Sequence, residues 1–258
     1  MAYQIKVTIA EIEPPIWRRL RIPGKISFEQ LHWIIQAAFG WLGYHLYSFE
    51  FEKVVITEPD PDFAPGECFG KDVEELDATK TPISCFFDEE DRCMYTYDFG
   101  DCWHHEIVVE EKLKETRANS RPRCLAGARH RPPEDVGGVG GYAHFLEVIG
   151  NKDDPEREEM LEWARKDTRG RLFDPEYFYL EEINERLEHA HEDNPQSARR
   201  ILRLPGLIGT LKFDGLGPYL EVRGKRYTWE RIGRLLSMLD EDLTVNVSVL
   251  MGKRRRRY

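Results

Sequence analysis

The run Tyr3-Gln-Ile-Lys-Val-Thr-Ile-Ala-Glu-Ile12, Pro14-Pro15, Ile16-Trp-Arg-Arg-Leu-Arg-Ile22 and Ser27-Phe-Glu-Gln-Leu-His-Trp-Ile-Ile-Gln-Ala-Ala-Phe-Gly-Trp-Leu42 decides the fold class. Its first segment alternates, with Tyr3, Ile5, Val7 and Ile9 on one face, so it predicts a strand. The two prolines mark a turn, and Ile16–Ile22 predicts a second strand paired with the first. The period then changes. Leu31, Ile34, Ile35, Ala38, Phe39 and Leu42 recur at helical spacing, behind a capping box of Ser27 and Gln30. Gly40 and Gly43 suit the end of that helix. His32 falls beside the apolar stripe and is expected at its boundary or surface.

Working outward, Tyr44–Ile56 predicts one further strand, carrying Leu46, Tyr47, Phe49 and Phe51. Residues 57–92 are acidic and interrupted by Pro59, Pro61, Pro65 and Pro82, which predicts loop. Met94–Tyr97 and Cys102–Glu110 predict a hairpin around the turn Asp98-Phe-Gly-Asp101. Cys124–Tyr142 holds two prolines and four glycines within five residues, and it is expected to form a rigid irregular loop. Helices are expected near Ala143–Ile149, after Asp154-Pro155, and over Leu180–His191. The order strand–strand–helix–strand predicts an α+β protein, an antiparallel sheet packed against helices, with a β-grasp-like ββαβ core.

The 258 residues are 41% hydrophobic and 12% aromatic, enough for a large buried core. No long apolar run and no signal-peptide core occur, so no membrane partner and a cytoplasmic location are expected. Five cysteines (Cys68, Cys85, Cys93, Cys102, Cys124) without a C-x-x-C pair predict free thiols. Charge is unevenly spread. Residues 196–258 hold 14 Lys/Arg against 6 Asp/Glu, leaving 23 against 41 in residues 1–195. This predicts an acidic main domain over 1–190, a polar linker over 191–200 and a small basic ββαβ unit over 201–258. In the last unit, Ile208–Phe213, Tyr219–Val222 and Leu243–Leu250 read as strands and Thr228–Leu239 as a helix. Oligomeric state is not readable.

Three places could carry chemistry. Asp98 and Asp101 flank a tight turn, where Asp commonly bonds its own backbone; with one His they could instead form an oxygen/nitrogen cluster for a divalent metal or for acid–base work. His105 shares a face with Trp103, Ile107 and Val109, so a satisfied core histidine competes with a functional one. Glu134 and Asp135 could complete that site from a distant loop, or merely bond loop amides. The terminal Lys253, Arg254, Arg255, Arg256 and Arg257 form a cationic tail, either solvated or attracted to nucleic acid or an acidic protein. Gly137-Gly-Val-Gly-Gly141 fits neither phosphate-binding pattern, and no G-x-S-x-G or H-E-x-x-H occurs. Spacing therefore assigns no cofactor, no metal ligand set and no nucleophile.

Several pieces together resemble the Ri-plasmid ORF-3-like family, also called the insertion-sequence passenger TnpR family. They are Pro14-Pro-Ile-Trp-Arg-Arg19, Phe28–Trp41 with Tyr44-His-Leu46, Tyr97–His105, Cys124–Tyr142 and Phe173–Asn184. The resemblance covers about residues 3–188 in order. It implies a mixed α+β domain and an association with plasmids and transposable elements, without an established reaction; no recombinase arrangement accompanies it. Family members often carry a second cysteine seven residues after the position of Cys124, where this chain has Arg131, which argues against a cysteine-pair site in the loop. The function expected is a non-catalytic interaction protein whose basic C-terminal unit contacts nucleic acid or an acidic partner. The alternative is a metal-assisted hydrolase using Asp98, Asp101, His105, Glu134 and Asp135.

Overall fold

The computed structural model describes residues 1–59, 73–168, 170–188, 190, 201, 209–214, 217–222 and 224–237. In chain order the body contains β1 (Ala2–Ile9), β2 (Trp17–Pro23), α1 (Phe28–Phe39), β3 (Tyr47–Glu50), β4 (Val54–Thr57) and β5 (Glu74–Asp77). It continues with α2 (Ser84–Phe87), β6 (Arg92–Tyr97), β7 (Trp103–Leu113), β8 (Arg123–Ala128), α3 (Gly138–Gly150), α4 (Arg157–Ala164) and α5 (Leu180–Leu187). Strands β9 (Thr210–Asp214), β10 (Gly217–Val222) and β11 (Lys225–Thr228) and helix α6 (Trp229–Ser237) follow.

The chain is α+β, built on an eight-stranded sheet in the order β5-β4-β3-β6-β7-β1-β2-β8. All neighbours are antiparallel except β4 and β5. The sheet is not closed into a barrel. Alternation decides its buried face: Tyr3, Ile5, Val7 and Ile9 of β1 and Trp103, His105, Ile107 and Val109 of β7 are all buried. The strand after α1 does not complete a grasp with the β1–β2 hairpin, because β6 and β7 stand between them.

Helix α1 starts as its sequence requires. Ser27 Oγ accepts from the Gln30 amide and Gln30 Oε1 accepts from the Ser27 amide, while Gly40 closes the helix with φ 83°. Ten of its twelve residues are buried, so His32 is not a boundary histidine. Its ring stacks on Tyr47 with centroids 3.7 Å apart, and Nδ1 lies 2.8 Å from the Tyr95 hydroxyl. A helix covered on more than one side buries its margins as well as its stripe. Its last carbonyls are capped by three arginines from elsewhere: Arg186 on Ala37, Arg18 on Ala38 and Arg131 on Gly40. A helix C-terminus leaves such carbonyls without partners and carries partial negative charge, so cations belong there.

Three further expectations are corrected. The Tyr44–Ile56 segment is two strands, turning where the Phe51 amide donates to the Val54 carbonyl. Within residues 57–92 a parallel edge strand, β5, and the helical turn α2 are present. The presumed loop from Cys124 is largely regular: β8 runs to Ala128 and α3 already begins at Gly138. At the other sheet edge, the Asn184 side chain of α5 accepts from the Cys124 amide at 2.9 Å and donates to its carbonyl at 3.1 Å.

The second sheet, β11-β10-β9, is antiparallel, and α6 follows it with Thr228 Oγ1 accepting from the Arg231 amide. Strand β11 was not visible in the sequence pattern. The linker 191–200, the strand expected at Leu243–Leu250 and the tail Lys253–Arg257 lie outside the described residues. Arg226 of β11 pairs with Glu185 of α5. Cys85, Cys93, Cys102 and Cys124 are free thiols.

Candidate metal centre

Strand pairing brings the first two groups together. Tyr47 of β3 faces Tyr97 of β6, so the residues just before β3 meet those just after β6. The Asp98 amide donates to the Leu46 carbonyl at 3.0 Å, which sets His45 beside the turn. His45 Nε2 lies 3.4 Å from Asp98 Oδ2.

The third group arrives from the Pro132–Gly137 connection, which is anchored to the same turn. Asp101 Oδ2 accepts from the Gly137 amide at 3.0 Å. Gly138, at φ 66°, packs so closely that a Cβ would sit 2.6 Å from the Asp101 carbonyl oxygen. Glycine is required there for both conformation and space. Asp135 Oδ1 is thereby held 3.3 Å from His45 Nε2. One ligand atom from each of His45, Asp98 and Asp135 lies within 4.8 Å of the others.

Both aspartates hold left-handed backbone, Asp98 at φ 59° and Asp135 at φ 58°. Side-chain oxygens make this tolerable for Asp, yet two such residues meeting at one histidine is the pattern of a site that fixes side-chain direction at some cost in strain. His45 Nε2 is within reach of two carboxylate oxygens but aligned for a hydrogen bond with neither. Asp98 is nearly buried, His45 partly exposed and Asp135 half exposed, so the cluster opens to solvent through Asp135. Burial pushes the Asp135 carboxyl up, but the Tyr44 hydroxyl donating at 3.0 Å and the Lys166 ammonium at 3.4 Å outweigh it and hold the group below the usual carboxylate value.

The other residues expected at the site have different places. Glu134 is buried, accepting from the Leu42 amide at 2.6 Å through Oε1, while its Oε2 has no hydrogen-bond partner among the described residues. Burial raises its carboxyl, only partly offset by the Arg131 charge and the Leu42 amide. Asp101 is the clamp that carries the connection. His105 is a core histidine: its Nδ1 donates to the Trp103 carbonyl at 2.8 Å, and its Nε2 accepts from Trp41 Nε1 at 3.2 Å. Burial lowers it to about 4. His45, not His105, completes the cluster, and the sequence signal for it was slight: a histidine just past a glycine-terminated helix.

Arg131 carries a charge that is paired in the interior. It donates to the Gly40 and Pro132 carbonyls and meets Asp167 at 2.7 Å, with 1% and 0% of the two side chains exposed. A nearby cavity of about 380 Å³ takes in Leu42, Lys166 and Asp167 together with residues of α5 and β11, but none of His45, Asp98 or Asp135 lines it. No described helix is long and apolar enough to cross a membrane.

The model of the plasmid pRiA4b ORF-3-like proteins matches residues 1–182. The uncharacterized protein y4hQ of Sinorhizobium fredii is 35% identical over 161 residues, covering 62% of this chain and 79% of that protein. The crystal structure of MM3350, a protein of unknown function from Methanosarcina mazei Go1, aligns with TM-score 0.59 and 34% identity. The match covers 70% of this chain and 96% of the other. The matched span includes β1 through the first residues of α5, with His45, Asp98 and Asp135 all inside it, and the chain belongs to the plasmid pRiA4b ORF-3-like family.

Proposed function

We propose that His45, Asp98 and Asp135 bind a divalent first-row cation, and that the chain acts as a metal-assisted hydrolase. The observation carrying this reading is the spacing around His45 Nε2, at 3.4 and 3.3 Å from two carboxylate oxygens without hydrogen-bond alignment. Ligands held about 2.1 Å from one ion are separated from each other by about 3.0–3.4 Å, in octahedral or tetrahedral geometry. A nitrogen with two carboxylate oxygens favours Mn²⁺, Fe²⁺ or Zn²⁺ over Ca²⁺. Three protein ligands leave positions open toward the exposed Asp135 side, where a bound ion would acidify water and polarise a substrate oxygen. Glu134, buried beside Asp135 and drawn toward the neutral form, supplies a carboxyl able to exchange a proton.

Titration calorimetry with Mn²⁺ and with Zn²⁺ is expected to give one site per chain. Asp98→Asn and His45→Ala should each weaken binding at least about tenfold, since the first removes a ligand's negative charge and the second removes a ligand. An unchanged melting temperature without metal would show that the fold is intact. Equal binding by wild type and Asp98→Asn would end the proposal. Binding without metal-dependent turnover of nitrophenyl phosphate, bis(nitrophenyl) phosphate or nitrophenyl acetate would end its hydrolytic part and leave a metal-binding module.

A further inference from the structure

We propose that a groove at the β8 edge, remote in sequence from the metal centre, binds a run of phosphate groups. The connection from β7 to β8 reads Arg117-Ala-Asn-Ser-Arg-Pro-Arg123, and its three arginines are exposed. It is stiffened locally. The Asn119 side chain accepts from the Thr116 amide at 2.6 Å and donates to the Lys114 carbonyl at 2.8 Å, while Ser120 Oγ donates to the Arg117 carbonyl at 2.9 Å. Arg117, Ser120, Arg121 and Arg123 line an open groove of about 630 Å³ with Arg21, Asn184 and Glu188.

Three observations converge on an anionic occupant. First, the arginines elsewhere in the body are committed: Arg19 to Glu110, Arg92 to Glu106, Arg129 to Glu176 and Arg131 to Asp167. Among the described residues, no carboxylate lies within ion-pair distance of Arg117, Arg121 or Arg123. Second, Arg123 of β8 stands directly opposite Arg21 of β2 in the sheet register. That register sets a further guanidinium, Arg21, in the wall of the same groove. Third, Glu188 is the one carboxylate among the described lining residues, in a part of the chain where acids outnumber bases 41 to 23.

Guanidinium groups match phosphate oxygens bidentately, and several spread along seven residues suit consecutive phosphates better than one. None of the described lining residues is aromatic, so the groove offers bases no stacking surface there and recognition is by backbone charge. The acidic remainder of the body opposes approach at low salt. Near 0.1 M salt its field is screened beyond about 10 Å while direct contacts persist.

The test uses the full chain, a fluorescent 20-nucleotide single-stranded DNA, and tripolyphosphate. The comparison variants are Arg117→Gln/Arg121→Gln/Arg123→Gln and one with Lys253–Arg257 all changed to Gln. The groove variant is expected to bind at least tenfold more weakly, with a log K against log salt slope flatter by about 2. The tail variant should retain the groove's contribution. Groove-dependent DNA binding identifies a nucleic-acid backbone; groove-dependent heat with tripolyphosphate alone identifies a free polyphosphate. Indistinguishable binding of both probes by wild type and groove variant, or no binding, would overturn the proposal. All three substitutions are at exposed positions, and equal melting temperatures would check that folding is unaffected.

Discussion

Replacing Arg131 by methionine is expected to destabilise the protein by about 3–5 kcal/mol, the range for removing one partner of a buried ion pair. The guanidinium satisfies the Gly40 carbonyl at the end of α1, the Pro132 carbonyl and the Asp167 carboxylate, and it lies 4.6 Å from the Trp41 ring centroid. Methionine fills much of the volume and meets none of the polar groups. Asp167 would keep a carboxylate with no solvent exposure and, among the described residues, no compensating charge in contact. Urea unfolding would measure the loss, and a cost below about 1 kcal/mol would show that the pair is not buried in solution. The double variant Arg131→Met/Asp167→Leu should recover part of the stability, because it removes the stranded charge as well. Arg131 also begins the connection that delivers Asp135, so the single variant should weaken Mn²⁺ binding even where it remains folded.

Acid should unfold the protein well above the range in which ordinary carboxylates protonate. Burial lowers His105 to about 4 and His130 to about 3, and it pushes His32 far down as well. Unfolded histidine titrates near 6.5. Between these values the unfolded chain binds protons that the folded chain refuses, so stability is complete above about pH 6.5 and is lost as pH falls toward 4. At pH 5 His105 alone accounts for about 2 kcal/mol, at about 1.4 kcal/mol per unit below 6.5. His32 and His130 act in the same direction. The geometry supplies the reason at His105: a second ring proton on Nε2 would point at the Trp41 indole N–H, which can only donate. Glu134 opposes the trend, since its raised carboxyl favours the folded state at lower pH. Melting temperatures across pH 7.5 to 4.5 would test the balance; a flat profile would mean that the histidines are not held neutral.

The features legible in the sequence were those encoded by near neighbours. The Ser27–Gln30 box, the Gly40 terminus and the alternation of β1 and β7 are local and appear as expected. Strand β5 was hidden because it is a polar edge strand with no buried face to impose alternation. The break between β3 and β4 was hidden because Phe51-Glu-Lys53 carries no glycine, proline or asparagine. Helix α3 begins in glycines that propensity rejects, yet Gly138 is needed where the connection touches Asp101. The same contact explains the partial success at the site. Asp98 and Asp135 were readable as unusual acids in constrained turns. Their meeting at His45 depends on the β3–β6 register and on packing between segments more than thirty residues apart, which no local pattern contains.

The Asn184 amide on Cys124 has a consequence for self-association. A sheet edge normally offers a column of amides and carbonyls to any passing chain, and the offer is most dangerous at high protein concentration. Here a primary amide from α5 reproduces one peptide unit of a ninth strand, giving and receiving at the same residue. Sheet growth is therefore halted by a side chain borrowed from a helix. Asn184→Ala would uncover a template for copies of the same chain, and its first symptom should be concentration-dependent fibre or dimer formation rather than a lower melting point.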